Sequence, residues 1–226
     1  MPDQATSIAD QGAELRRAAA DSLPPEVNDV FEAERQHLIG RGTPGGVAGP
    51  GVPMPDGDLL DSHGDPTTLA EARAGRPAVV VFYRGAWCPY CNLTLRAYQT
   101  QLVEQLRDRG VGLVAVSPQH PDGSLSVTQK NELTFTVLSD PGNQIAGRLG
   151  VVFTLGEQAR AAQQKLGLDL AQANADGSAD LPLTTVVLVD AEGVIRWIDV
   201  RPDYTARTEP AEILAALDSL PQADAP

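Results

Sequence analysis

The chain holds two cysteines, Cys88 and Cys91, separated by Pro89-Tyr90 and preceded by Arg84-Gly85-Ala86-Trp87. A helix is expected from Pro89 onward, because proline suits a first helical position and Cys91, Leu95, Tyr98, Leu102 and Leu106 then recur at spacings of three and four. Cys88 falls at the N-cap of that helix. Unpaired backbone N–H groups and the positive end of the helix dipole favour a thiolate there, so its pKa is expected below the ordinary value of about 8.5. Cys91 lies one turn deeper, on the apolar face. An exposed, activated sulfur with a shielded one within reach is what reversible disulfide chemistry needs. Cys-X-X-Cys also supplies two zinc ligands, but a structural zinc takes four and the chain has no second cysteine or histidine pair. Dithiol redox chemistry is the reading, with no metal and no cofactor.

Other residues near the pair carry weaker signals. Arg84, four residues before Cys88, is the nearest cation in sequence; it is either placed to lower the cysteine pKa and polarise a substrate oxygen, or a surface arginine in a loop. Trp87 and Tyr90 either shape a surface for substrate or partner or fix the loop by packing. His63, in the turn Asp61-Ser62-His63-Gly64-Asp65, reads as a solvated histidine. His120, in Ser117-Pro118-Gln119-His120-Pro121, falls at the carboxyl end of a strand, the edge where open α/β sheets bind ligands, but no spacing ties it to the cysteines.

The elements that must hold these groups follow from patterning. Val79-Val80-Val81-Phe82-Tyr83 is an unbroken apolar run, which predicts a strand covered on both faces, as in a parallel sheet. Val111 to Val116 is a second such strand, and the helix between them makes a right-handed βαβ unit. Thr134 to Leu138 is a third strand. Leu181 to Asp190 and Val194 to Val200, joined by Ala191-Glu192-Gly193, read as an antiparallel hairpin, and Glu209 to Leu220 as a closing helix before a frayed tail at 221–226. Short helices are expected at Thr68 to Ala74, Asp122 to Leu133 and Asn143 to Leu149, and a short strand at Val151 to Thr154. The alanine- and glutamine-rich helix Glu157 to Leu166 reads as a solvated insertion, and Ala171 to Asp180 as a polar loop. At the other end, Ile8 to Ala20 and Pro25 to Ile39 form two helices, the second stopped at Gly40. Between Gly40 and Gly57 stand seven glycines and four prolines, a linker composition without the spacing of a phosphate-binding loop. The division is an arm and linker over 1–46 and an α/β domain over 47–226. The arm can pack on its own domain or on a second copy in a homodimer.

Trp87-Cys88-Pro89-Tyr90-Cys91 is similar to the Trp-Cys-X-X-Cys site of thioredoxin-fold proteins, and its Cys-Pro-Tyr-Cys core to that of glutaredoxins. The wider run Tyr83 to Asn92 with Leu95-Arg96-Ala97-Tyr98, and later Pro202-Asp203-Tyr204-Thr205 before Glu209-Pro210, resembles the peroxiredoxin-like branch of the alkyl hydroperoxide reductase and thiol-specific antioxidant family, over roughly Val47 to Leu220. The hairpin and the expected strand pair around Met54 to Leu60 resemble that family too. The resemblance implies a thioredoxin-like α/β fold, a mixed sheet flanked by helices, here with an N-terminal helical extension. It also implies hydroperoxide reduction at a peroxidatic cysteine, with thioredoxin or a similar dithiol as reductant. Typical members place Thr or Ser three residues before that cysteine and Pro seven before it. Counted from Cys88 those places hold Gly85 and Val81. A cation, or the cis-proline of thioredoxins, is expected where Thr184 stands; Pro182 lies two residues earlier. A disulfide oxidoreductase acting on protein partners is the alternative that these departures favour.

The 226 residues are 42% hydrophobic, enough for one sizeable core. A formal charge of −13, from 17 Lys and Arg against 30 Asp and Glu, repels phosphate backbones and anionic membranes, so nucleic acid and membrane are not expected partners. The sequence Met1 to Thr6 lacks a basic and apolar leader, and two closely spaced cysteines are not a secreted disulfide framework. A cytoplasmic redox protein is expected.

Overall fold

The computed structural model describes residues 6–220, so the expected tail at 221–226 and residues 1–5 lie outside the described residues. Helix α1 (Ile8–Ser22) starts at Ser7, whose hydroxyl accepts from the Asp10 amide, and α2 (Pro25–Arg41) starts on Pro25. The second helix runs through Gly40 and stops at Gly42. Glycine ends a helix where the backbone turns to positive φ, and here that happens at Gly42, φ 66°. Strands β1 (Leu59–Leu60) and β2 (Pro66–Thr67) form the short hairpin, and α3 (Leu69–Arg73) follows behind a capping box between Thr68 and Glu71.

The core then runs β3 (Ala78–Phe82), α4 (Pro89–Gln101), α5 (Val103–Asp108), β4 (Gly112–Ser117), α6 (Pro121–Lys130) and β5 (Thr136–Ser139). After α7 (Gln144–Leu149) come β6 (Val152–Thr154), α8 (Glu157–Lys165), α9 (Leu170–Ala173) and β7 (Asp180–Pro182). Strands β8 (Thr184–Val189) and β9 (Ile195–Arg201) make the final hairpin, and α10 (Pro210–Asp218) closes the fold. Seven strands pair in the order β2-β1-β5-β4-β3-β8-β9. β3, β4 and β5 are parallel, whereas β8 runs antiparallel to β3 and β9 to β8. The sheet is mixed, as expected.

Alternation along β3 divides the core. Val80 and Phe82 pack with Val114, Val187, Leu149 and Leu38 on one face; Val79 and Val81 pack with Tyr98, Leu102, Ile213 and Ile8 on the other. Every residue of β3 is buried, which is why its sequence shows no polar alternation. The arm straddles this sandwich. Ile8 of α1 belongs to one face and Leu38 of α2 to the other, so the two helices cross over the carboxyl end of β3, α1 lying on α4 and α2 on α8.

Three expectations are corrected. Helix α8 is not a solvated insertion: Ala159, Ala162 and Gln163 are buried, and Ala159 belongs to the core. Alanines there make a flat face on which α2 rests closely, and small side chains carry little periodic signal. The stretch over 181–190 is not one strand. β7 pairs antiparallel with β6 in a separate two-stranded sheet, and only from Thr184 does the chain enter the main one. The polar loop after α8 also contains α9, nucleated by the Asp169 side chain accepting from the Ala171 amide.

Candidate active site

β3 delivers Tyr83 and Arg84 to the carboxyl edge of the sheet, where the loop to α4 turns sharply at Gly85, φ 150°. A Cβ at Gly85 would stand 2.4 Å from Trp87 Nε1, so only glycine admits the indole. Gln119 clamps the loop from β4: its Oε1 accepts from the Ala86 amide at 2.7 Å and its Nε2 donates to the Tyr83 hydroxyl at 2.9 Å. Asn92, one turn into α4, donates to the carbonyls of Ala86 and Cys88. The loop is held by polar contacts that its own sequence does not announce.

Cys88 caps α4 and Cys91 lies one turn in, as the pattern predicts. They come within 3.3 Å of each other and each is 1% exposed. Arg207 Nη2 donates to the Cys91 sulfur at 3.5 Å. Its other nitrogen, Nη1, donates to the carbonyls of Tyr204 and Ala206, so the guanidinium is fixed. The loop that carries it is tied down by the Tyr98 hydroxyl, which donates to the Thr208 carbonyl at 2.7 Å.

These contacts decide where the charge of the pair rests. Burial opposes a thiolate on Cys91, but the Cys88 thiol, the Arg207 cation, the Arg84 backbone amide and the Arg84 charge together bring its pKa down to about 5. Cys88 is pushed well up, first by donating its hydrogen bond to Cys91, then by burial and by the neighbouring thiolate. The N-cap argument, which makes Cys88 the exposed low-pKa thiol, is therefore corrected on both counts. No side-chain hydrogen bond caps the helix at Cys88, whereas several donors converge on Cys91. The two shifts run in opposite directions and favour the negative charge on Cys91 over Cys88.

Arg84 is not a surface arginine. It is 5% exposed, and its guanidinium carbon sits 4.9 Å from the Trp87 ring centroid and 4.6 Å from that of Tyr204. Two aromatic faces hold it in place of a carboxylate. Tyr90 packs edge-on to Tyr204, ring centroids 6.3 Å apart, and lies under Arg207. Cys88, Arg84, Trp87, Tyr90 and Tyr204 all line a cavity of about 560 Å³ whose remaining walls come from α1, α2 and the α8 region. Cys91 does not line it. That sulfur faces inward, with Arg207, Thr184 and Thr208.

The AhpC/TSA family model matches residues 50–198. The chain belongs to that family. Among curated relatives it is similar to a chloroplastic peroxiredoxin Q of Sedum lineare, 31% identical over 101 residues, which are 45% of this chain and 53% of that protein. It is also 32% identical over 96 residues to a putative peroxiredoxin of Mycobacterium tuberculosis, covering 42% of this chain and 60% of the other. The chain thus spans about half the length of the curated relatives it matches. In fold it is similar to the reduced Prx3 of Vibrio vulnificus solved with hydrogen peroxide, with a TM-score of 0.61 and 19% identity over 76% of this chain and 97% of that one. The matched AhpC/TSA segment ends before Tyr204 and Arg207 and begins after the arm.

Within the AhpC/TSA frame the remaining expectations sort by position. Thr184 is not a substitute for the missing cation: its hydroxyl donates to the carbonyls of Arg201 and Ala206 and so braces the loop carrying Arg207. The cation reaches the sulfur from that loop instead. Pro182 lies in β7, paired with Val152. His63 is exposed in its turn, and His120, exposed, caps α6; neither is brought to the cysteines. Among the described residues no helix is long and apolar enough to cross a membrane, and no group of three or more His, Cys, Asp and Glu is placed to hold a metal ion.

Proposed function

We propose that the protein is a thiol peroxidase that reduces hydroperoxides through the Cys88–Cys91 pair, with thioredoxin or a similar dithiol restoring the thiols. The observation that carries this is a cavity-lining Cys88 sulfur with the Cys91 sulfur 3.3 Å from it. A hydroperoxide in the cavity meets Cys88. The Cys91 thiolate accepts the Cys88 proton as the Cys88 sulfur bonds to one peroxide oxygen; the O–O bond breaks and the other oxygen leaves as alkoxide or hydroxide. Arg84 stabilises that departing charge, and the proton just stored on Cys91 neutralises it. Cys88 is then a sulfenic acid. The Cys91 thiolate attacks it, a disulfide forms, and hydroxide leaves, neutralised by the proton that the pair released to solvent when Cys91 ionised, so one dithiol and one hydroperoxide give one disulfide, an alcohol and water. Cys88, Cys91 and Arg84 are the reacting and stabilising groups in this reading, and the arm and linker over 1–46 are an accessory to the domain over 47–226.

The reading as a disulfide oxidoreductase is less well supported, because the cavity that Cys88 lines, about 560 Å³, has the size of a small-molecule site. One observation favours a second peroxidase assignment with the sulfurs exchanged. Cys91 carries the charge, and counted from Cys91 the place of the family's Thr or Ser is Cys88 itself.

Single-cysteine proteins test both. After a pulse of hydroperoxide, Cys91→Ser should take up about one equivalent and carry a trappable sulfenic acid at Cys88, read by mass spectrometry. A faster sulfenic acid at Cys91 in Cys88→Ser would exchange the roles. If neither variant, nor the intact pair in a single turnover, reacts faster than free cysteine at the same pH, the peroxidase reading fails.

A further inference from the structure

The cavity over Cys88 is far larger than hydrogen peroxide needs, and its walls are of two kinds. Leu23 beside α1, Phe31 of α2, and Leu155, Leu166 and Leu168 around α8 give it an apolar body. The polar lining includes Arg84 beside Cys88, with Arg16, Asn28, Glu32, Glu34 and Arg35 on α1 and α2. Of the buried side-chain polar atoms without a protein partner among the described residues, three belong to residues that line this one cavity: Arg84 Nε, Trp87 Nε1 and Gln163 Oε1. A buried polar atom left unpaired is costly, and two of the three, on Arg84 and Trp87, adjoin Cys88 in the loop before α4, which marks that part of the cavity as a place for a ligand to supply the missing partners. Arg84 and Trp87 are both donors. They suit an acceptor oxygen held against Cys88. The volume and apolar lining suit a carbon skeleton behind that oxygen, within the range of small-molecule sites.

Resting on the peroxidase reading, we propose that the substrate is an organic hydroperoxide with a bulky apolar body, and that the N-terminal arm, together with α8, is the specificity pocket for that body. The peroxide group lies between Cys88 and the Arg84 guanidinium; the body lies against Leu23, Phe31, Leu155 and Leu166. The family match covers residues 50–198 and so leaves out α1 and α2. The preference is therefore a property that this chain builds onto the shared domain.

Two measurements on the full chain test the proposal separately from the peroxidase reading. In the first, with dithiothreitol as reductant, kcat/KM for cumene hydroperoxide should exceed that for hydrogen peroxide, and this ratio should fall about tenfold in Ala19→Trp, which fills the α1 wall, and in Leu166→Glu, which makes the α8 wall polar. In the second, calorimetry with 2-phenyl-2-propanol, the unreactive alcohol, should detect binding to the intact chain and a matching loss in both variants. Equal or lower kcat/KM for cumene hydroperoxide overturns the proposal, as does a ratio that neither variant moves. Absence of alcohol binding overturns it whatever the turnover. Alcohol binding that both variants weaken, with no consumption of either peroxide, leaves an apolar ligand pocket and overturns the peroxidase reading alone.

Discussion

Arg207 donates to the Cys91 sulfur, and nothing near the cysteines in sequence points to it. It stands 116 residues from the sulfur it contacts. Cys88, Cys91 and Arg84 were legible because they share one short segment; Arg207 was not, because only the docking of a distant loop on α4 brings it in. Its position makes a prediction with a definite sign. The pair must lose one proton before Cys91 can accept another, so the rate of the first peroxide step should be low below pH 5, rise through about 5 and be level by neutrality. Arg207→Met removes a cation that favours the thiolate, so the midpoint should move upward by more than about one pH unit. Arg84→Met also removes favourable charge, but its larger effect should be a loss of tens-fold in the plateau rate, since Arg84 faces the cavity. Stopped-flow measurement of a single turnover from pH 4 to 9 separates the two. A profile for Arg207→Met that overlays the parent would remove Arg207 from the site.

At the scale of elements, the loop between β3 and α4 converts a strand end into a site, and Gly85 is its tightest point. Gly85→Ala places a Cβ in a backbone region that favours glycine and within 2.4 Å of the indole nitrogen. The change should cost about 1–3 kcal/mol and displace Trp87 from Arg84. Denaturant unfolding reads the cost and tryptophan fluorescence the displacement; an unchanged emission spectrum would mean that the loop relaxes elsewhere. Strands were legible in the sequence wherever burial on both faces left long apolar runs, as in β3 and β4, and α4 was legible from its proline and its heptad-like spacing. The signal failed where burial uses small residues. Ala159 and Ala162 are buried like many leucines elsewhere, but an alanine-rich face looks much like a solvated one. It failed again at β7, since a run of β-branched and apolar residues does not say which of two sheets each part joins.

For the whole molecule the arm is the feature that the sequence located without saying where it goes. Two helices and a Gly/Pro linker fit many dockings; the fixed points are single contacts far along the chain. Glu209 accepts from the amides of Ile8 and Ala9 at 3.1 and 2.8 Å, the Tyr204 hydroxyl donates to the Phe31 carbonyl, and Arg35 pairs with Asp203 at 2.6 Å. All three anchors lie in the segment that carries Arg207. Removing the helix-end acceptor with Glu209→Ala should cost about 1–2 kcal/mol and speed alkylation of Cys88 in the folded protein several-fold. An alkylation rate equal to that of the parent would show that the arm is held without that contact.

The burial of Cys88 beneath this arm has a consequence for the second half of the cycle. Once the disulfide has formed, its cavity-side sulfur admits a small thiol through the same opening as the peroxide, but a folded reductant protein is too broad to follow. In the proposed cycle, regeneration by such a protein should require α1 and α2 to lift, and turnover should then level off at a rate that adding peroxide does not raise.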